Sequence, residues 1–334
     1  MTARSRRSRT LRRLHQPWCH PRYRLPADTR RANQRDWAYA PPRCRPVTPD
    51  ELYTLLATPS LVDPVLLIHL TGWIDASGCA ADARDAILDQ IAPTPVAGFE
   101  TEWLLDHRAR RPLMHIVEGV TTALDWPEIN LVSGRDSTGN DLLFLHGAEP
   151  DHNWRAFCDA VVELARRFGV RRVIGLGAYP ASSPHTRPSR LSATASTPEL
   201  AKLGFTPATL DVPAGMQAAV EFALHRAGIP AVGLWAQVPH YLSGASYAPA
   251  TQALIEGLVV AGGLVFDSSE LAAEALATRT RLDGLVADDD QHRTMLRVLE
   301  RQYDNAAEVE ASISGDDVAA EIAEFLRNQA DDDR

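Results

Sequence analysis

Asp151-His-Asn-Trp-Arg-Ala-Phe-Cys-Asp-Ala-Val-Val-Glu-Leu-Ala-Arg-Arg-Phe168, followed by Arg172-Val-Ile-Gly-Leu-Gly177 and Ala178-Tyr-Pro-Ala-Ser-Ser-Pro-His-Thr-Arg-Pro188, decides the fold of this chain. Trp154, Phe157, Cys158, Val161, Ala165 and Phe168 recur at three- and four-residue steps, the stripe that an amphipathic helix buries. Gly169 stands where a left-handed helix cap belongs. The apolar run from Arg172 predicts a buried strand. In an open α/β sheet, the loop leaving the carboxyl end of a strand is where ligands bind. This loop holds His185, Thr186 and Arg187 between Pro184 and Pro188.

The same alternation extends outward. Val65-Leu-Leu-Ile-His-Leu70 is a near-continuous apolar run, the mark of a strand covered on both faces. A helix is expected after it, from Asp75 to about Gln90. Upstream, Pro49-Asp-Glu-Leu-Tyr-Thr-Leu-Leu56 predicts a short helix with Pro just inside its start. Pro95 to Glu102 and Leu113 to Glu118 read as strands. Ile129-Asn-Leu-Val132 and Leu142-Leu-Phe-Leu145 flank a turn-rich segment, which predicts a β-hairpin over 128–145. Its exposed edges are expected to pair with further copies of the chain in a closed homotrimer. A helix over Gly215 to Ala227, a strand over Ala231 to Ala236 and a helix from Pro249 to about Ala261 follow. From Asp267 the pattern is helical only, over Ser268 to Thr278, Asp289 to Ala311 and Asp316 to Asn328, with an acidic tail at 329–334. The expected architecture is an α/β core over 47–266 and a C-terminal helical subdomain over 267–328.

The net charge of −9 divides unevenly. Residues 1–46 carry 13 Arg against Asp28 and Asp36, a balance of +11, which leaves −20 for the rest. So acidic a body argues against nucleic acid as the main partner. The arm itself has little apolar periodicity and reads as disordered. A nucleic-acid tail, an organellar presequence and translated upstream DNA are its three readings. No apolar run approaches the ~18–20 residues of a membrane helix, so no membrane role is expected. Cys19, Cys44, Cys79 and Cys158 have no zinc-type spacing, and a reducing cytoplasmic setting is expected. Gly175-Leu-Gly177 lacks the third glycine of a dinucleotide fingerprint. Neither a Gly-Lys-Ser/Thr phosphate loop nor a Gly-x-Ser-x-Gly elbow occurs, so no cofactor is expected.

Five motifs in one order resemble a known family. They are Leu70-Thr-Gly-Trp-Ile-Asp75, Leu105-Asp-His-Arg-Ala-Arg-Arg-Pro112, Gly147-Ala-Glu-Pro-Asp-His-Asn-Trp154, the Pro184–Pro188 loop and Gly233-Leu-Trp-Ala-Gln-Val-Pro-His-Tyr241. Together they resemble the proteasome assembly chaperone 2 family, in its actinobacterial branch, from about Pro49 to Phe325. The resemblance implies a three-layer α/β/α core like that of nucleoside phosphorylases and peptidyl-tRNA hydrolases. It also implies a hairpin used in forming a trimer and a C-terminal helical lid over a ligand site. The hydrophobic-tyrosine tail of eukaryotic and archaeal relatives is missing, since the chain ends Asp332-Asp333-Arg334. Val47-Thr-Pro-Asp-Glu-Leu-Tyr53 resembles the opening of family members, and Val47 is therefore expected near the true initiator.

Eight residues are candidates for a ligand site: Asp75, Glu149, Asp151, His185, Thr186, Arg187, His240 and Tyr241. Asp75 and Asp151 sit where helices begin and suit N-caps equally well. Glu149 and Asp151, two nearby carboxylates, could serve acid–base chemistry or a metal, or simply the positive end of a helix. Arg187 suits a carboxylate or phosphate, since its planar fork binds bidentately; the structural alternative is an ion pair to Glu149 or Asp151. His240 and Tyr241 follow a second buried strand and could converge on the same crevice. Two functions follow. The first is a ligand-binding or protein-assembly scaffold of chaperone type. The second is an enzyme of phosphorylase or hydrolase type acting on a small anionic substrate beneath the lid. A pocket with a perturbed histidine or carboxylate would favour the enzyme, and a site filled by its own salt bridges the scaffold.

Overall fold

Val65–Thr71 (β2) is buried along all but its last residue, as its unbroken apolar run requires, and it lies in the middle of an eight-stranded sheet. This computed structural model describes residues 47–312 apart from 207, 208, 243 and 288. The arginine-rich arm, the helix expected over 316–328 and the acidic tail lie outside the described residues.

The chain enters through a single 3-10 turn, Pro49–Glu51, into a short strand, Tyr53–Leu55 (β1). The helix expected over 49–56 is therefore a turn and an edge strand. Thr48 and Glu51 close the turn reciprocally, and the Tyr53 to Leu55 backbone pairs with Ala97 to Phe99 instead of with itself. After β2 come Cys79–Ile91 (α1), Thr94–Phe99 (β3) and the one-turn helix Thr101–Leu104 (α2). Leu113–Val117 (β4) and Val120–Asp125 (β5) form a separate two-stranded hairpin. Ile129–Arg135 (β6), Asp141–Ala148 (β7), Trp154–Arg167 (α3), Arg172–Ala181 (β8) and Leu191–Ala195 (β9) follow. Next are Pro198–Ala201 (α4), Met216–Arg226 (α5), Ala231–Pro239 (β10), Ala248–Gly262 (α6), Ser269–Ala287 (α7) and Asp290–Ser312 (α8).

The strand order is β1-β3-β6-β7-β2-β8-β10-β9. The four central strands β7, β2, β8 and β10 are parallel, so their carboxyl ends share one edge. Antiparallel strands flank them on both sides. Phe157, Val161 and Leu164 of α3 and Met216, Val220 and Leu224 of α5 bury one face of the sheet. Ala80, Ala83 and Ile87 of α1 and Leu254, Ile255 and Leu258 of α6 bury the other. The result is a mixed α/β sandwich with helices on both faces.

The hairpin expected over 128–145 forms, but it does not stand out from the core. β6 and β7 lie inside the sheet, paired outward to β3 and β2, so neither offers a free edge. Its turn is pinned to the body by Asp136. That buried carboxylate accepts from Val265 N at 2.9 Å, from Asn140 N at 2.8 Å and from Thr138 N at 2.9 Å. The projecting hairpin is β4–β5, every residue of which is exposed. Only its first strand is expected from sequence, and the Glu118-Gly119 turn goes unread. Both turn residues have positive φ.

Candidate functional site at the carboxyl edge of the sheet

β8 ends at Ala181 and β10 at Pro239, and each hands the chain to a candidate segment. The 240–242 turn places the Tyr241 hydroxyl 2.9 Å from the His185 backbone nitrogen, which donates to it, and 2.8 Å from His185 Nδ1. The other ring nitrogen, Nε2, faces Asp283 Oδ1 of α7 at 3.3 Å, within ion-pair range but out of line for a full hydrogen bond. His185 is completely buried, and burial pushes its pKa below 6.5 while Asp283 and Glu300 work in the opposite direction. His240 stays on the surface, its Nδ1 3.3 Å from Ala181 O.

The next two residues meet α8. Thr186 donates to Glu300 Oε1 at 2.6 Å. Arg187 grips Asp304 with both arms of its fork, at 2.8 and 2.7 Å, and reaches Glu300 at 3.4 Å. A carboxylate does occupy the fork, then, and it belongs to this chain. The ion pair considered with Glu149 or Asp151 is instead made with Asp304 and Glu300. Tyr303 completes the contact: its hydroxyl donates to Pro188 O at 3.0 Å, and the Arg190 guanidinium stacks 3.9 Å above its ring. Charge-assisted, bidentate pairs of this kind are the stronger sort. They fasten α8 to the loop after β8.

The remaining candidates form a second group. Asp75 receives Ala80 N at 2.9 Å and Ala81 N at 3.0 Å, and so holds the start of α1, with His69 Nε2 3.6 Å away. Buried Glu149 does the same for α5 by accepting from Met216 N. Asp151 does not cap α3. Asn153, in the left-handed region, occupies that position, while Asp151 takes Asp106 N at 2.9 Å and Arg110 Nε at 3.1 Å. The tightly folded 105–110 segment draws Asp151 away from the helix it precedes. Among the described residues, no hydrogen bond or ion pair links this group to the His185 group.

A PAC2 family model matches residues 69–286, about two thirds of the chain. The chain belongs to the PAC2 family. A Mycobacterium tuberculosis protein of unknown function, Rv2714, is 35% identical, with 80% of this chain and 95% of that one covered and a TM-score of 0.72. A PAC2 family protein from Streptomyces avermitilis is 31% identical over 70% of this chain and 100% of that one, with a TM-score of 0.64. The M. tuberculosis proteasome-assembly chaperone homologue Rv2125 is 30% identical over 70% of this chain and 99% of that one, with a TM-score of 0.65. No curated protein matches.

Several residues of this PAC2 chain that matter at the edge are not apparent from the loop motifs. Asp283, Glu300 and Asp304 sit on helices whose acidic residues read as solvated. The usable signal was the four-residue step from Glu300 to Asp304, which places both on one helix face opposite an arginine. A second omission lies inside the sandwich. Gly175 and Gly233 are register partners on β8 and β10. A Cβ on Gly175 would stand 2.0 Å from Glu221 Oε1 and 2.3 Å from Gln217 Nε2, so the glycine makes room for two polar side chains of α5. Neither atom has a well-aligned hydrogen-bond partner among the described residues, and burial raises the Glu221 pKa from 4.5 to about 8 against the smaller, opposing pull of the Gln217 amide. Among the described residues no group of three His, Cys, Asp or Glu is placed to hold a metal. No described helix is long and apolar enough to cross a membrane.

Proposed function

We propose that this chain is a chaperone-like assembly scaffold of the cytoplasm, working as a homotrimer on protein partners of proteasome type. The β4–β5 hairpin carries the proposal. Leu113, Met114, Ile116, Val117, Val120 and Leu124 are all at least 48% exposed on a two-stranded ribbon that shares no strand pairing with the main sheet. Exposed apolar surface and unpaired strand edges mark protein contact sites. Similarity to a proteasome-assembly chaperone homologue supports the kind of partner. The eight candidate residues enter as structural parts, two as helix caps and the His185 group as the latch of a helical lid. The likeness to nucleoside phosphorylase and peptidyl-tRNA hydrolase cores enters as a shared fold, without their chemistry.

The test uses the full chain. Light scattering is expected to give a trimer, and Ile116→Glu with Val120→Lys is expected to shift it to monomer. Sedimentation with purified proteasome subunits from the same cells is expected to show a complex. A monomeric wild type that also leaves those subunits untouched overturns the reading.

A further inference from the structure

An open groove of about 470 Å³ runs between the root of the β4–β5 hairpin and the end of the sheet. Its floor is a polar pair in register, Asn130 on β6 and His146 on β7, and its rim carries Leu124, Asp125, Trp126 and Glu128. Gly147 makes the floor possible. Its φ is +132°, and a Cβ there would fall 2.1 Å from Glu128 O. This groove lies apart from the eight candidate residues, and neither the caps nor the latch uses it.

The groove is rich in acceptors. Glu128 takes the Asn130 amide on Oε2 at 2.8 Å, and Asp125 takes His115 on Oδ2 at 2.7 Å, so one oxygen of each carboxylate has no partner among the described residues. Among the described residues, the His146 ring makes no hydrogen bond. Burial, Arg84 and His69 lower its pKa, which keeps it neutral with a lone pair to offer. Trp126 is half exposed, and its indole is braced by an edge contact with His107 at 5.1 Å and 81°. A guanidinium has five N–H donors and no acceptor, and it stacks on aromatic faces, so its requirements match this lining better than those of an ammonium. The balance of −20 over residues 47–334 would draw a basic segment toward the groove.

We propose that the groove binds an arginine side chain presented by a partner protein. This rests on the scaffold reading and names the chemistry of its partner.

The probe is a nonapeptide of glycine and serine with one central arginine, alongside matched lysine and citrulline peptides, titrated into the full chain by calorimetry. The arginine peptide is expected to bind several-fold more tightly than the lysine one, the citrulline peptide not to bind, and added salt to weaken the interaction. Trp126→Ala and Asp125→Asn are each expected to weaken the arginine peptide about tenfold, roughly 1.4 kcal/mol. Asp125→Asn leaves the Glu128–Asn130 bond intact, and so guards against a loss caused by local unfolding. Equal binding of the three peptides, or no effect of either variant, overturns the proposal. Binding that appears only in the Ile116→Glu/Val120→Lys protein would mean that a second copy covers the groove, and this too overturns it. Arginine selectivity in a monomeric wild type that leaves proteasome subunits untouched keeps the groove and removes the scaffold reading; a trimer that binds those subunits without arginine selectivity removes the groove alone.

Discussion

Glu221 shows how a single carboxyl can set a dependence on pH. It is more than nine-tenths buried, pairs with no cation among the described residues and is expected to be protonated at neutral pH, with a pKa of about 8. Its folded-state pKa lies above the unfolded value, so its contribution is full below about 4.5 and is lost as pH rises through 8. Glu221→Gln, which is neutral at every pH and nearly the same shape, should raise the melting temperature at pH 8 and leave it almost unchanged at pH 4.5. A stabilisation on the order of 1–3 kcal/mol at the alkaline end is expected. Equal melting curves for variant and wild type from pH 5 to 8 would refute the assignment. His146 and His185 act with the opposite sign. Both are depressed in the folded state, so the unfolded chain binds more protons below 6.5 and their share of stability falls with pH there. Gly175 was read in sequence only for a nucleotide motif it does not complete. Nothing local in Gly175-Leu-Gly177 reveals that α5, some forty residues on, needs the space.

At the scale of elements, the latch between the 184–190 segment and α8 is held by polar contacts at the surface. Arg187→Ala should therefore cost little global stability, lowering the melting temperature by about 2–4 °C. The sharper readout is amide hydrogen exchange. Exchange should quicken through α8 and remain slow in β2 and β8; uniform change across the sheet would mean that the latch is part of the core. Asp136 makes the contrasting case. Burial opposes its charge, yet the amides of Val265 and Asn140 and the Asn140 and Thr138 side chains hold its pKa below the model-peptide value of 3.8. Asp136→Ala should lose about 1–3 kcal/mol by leaving those donors unpaired. That loss should vanish in acid as the wild-type carboxylate protonates. The two hairpins explain why element identity was legible and element role was not. The 128–145 segment alternates and turns as a hairpin should, but its apolar residues face both layers, and only the placement of β3 and β2 shows that it is interior. In 113–125 the apolar residues lie in solvent, and a reading that takes apolar runs for buried strands finds one strand where there are two.

Across the whole molecule, the alternation of strand and helix was sufficient to place the parallel centre, because β2, β8 and β10 each carry an apolar run with a helix after or before it. The edges were harder. Leu191–Ala195 is short and carries Ser192 and Thr194, so nothing in it resembles a strand until β10 supplies the pairing. Position along the sheet edge was likewise legible for all eight candidate residues, since each follows a strand or begins a helix. Their partners were not, because Asp283, Glu300 and Asp304 are about a hundred residues away and look like ordinary helix surface. Charge is the property that acts at this scale. The acidic balance of the body should make association with any basic partner fall as salt rises from 50 to 300 mM. A salt-independent affinity would place the contact on the apolar hairpin instead.

The order in which the chain emerges during synthesis gives the latch one further consequence. The loop carrying His185 leaves the ribosome roughly a hundred residues before the helix that fastens it, so the sheet can assemble while that segment is still unsecured. Arg187 would then face solvent without Asp304, and His185 without Asp283. A nascent chain arrested just after Phe266 should be cut by trypsin after Arg190, and the released full-length protein should resist cleavage there. Completion of this edge is thus timed by the synthesis of α7 and α8, and quality control has an interval in which to distinguish a chain that carries them from one that stops short.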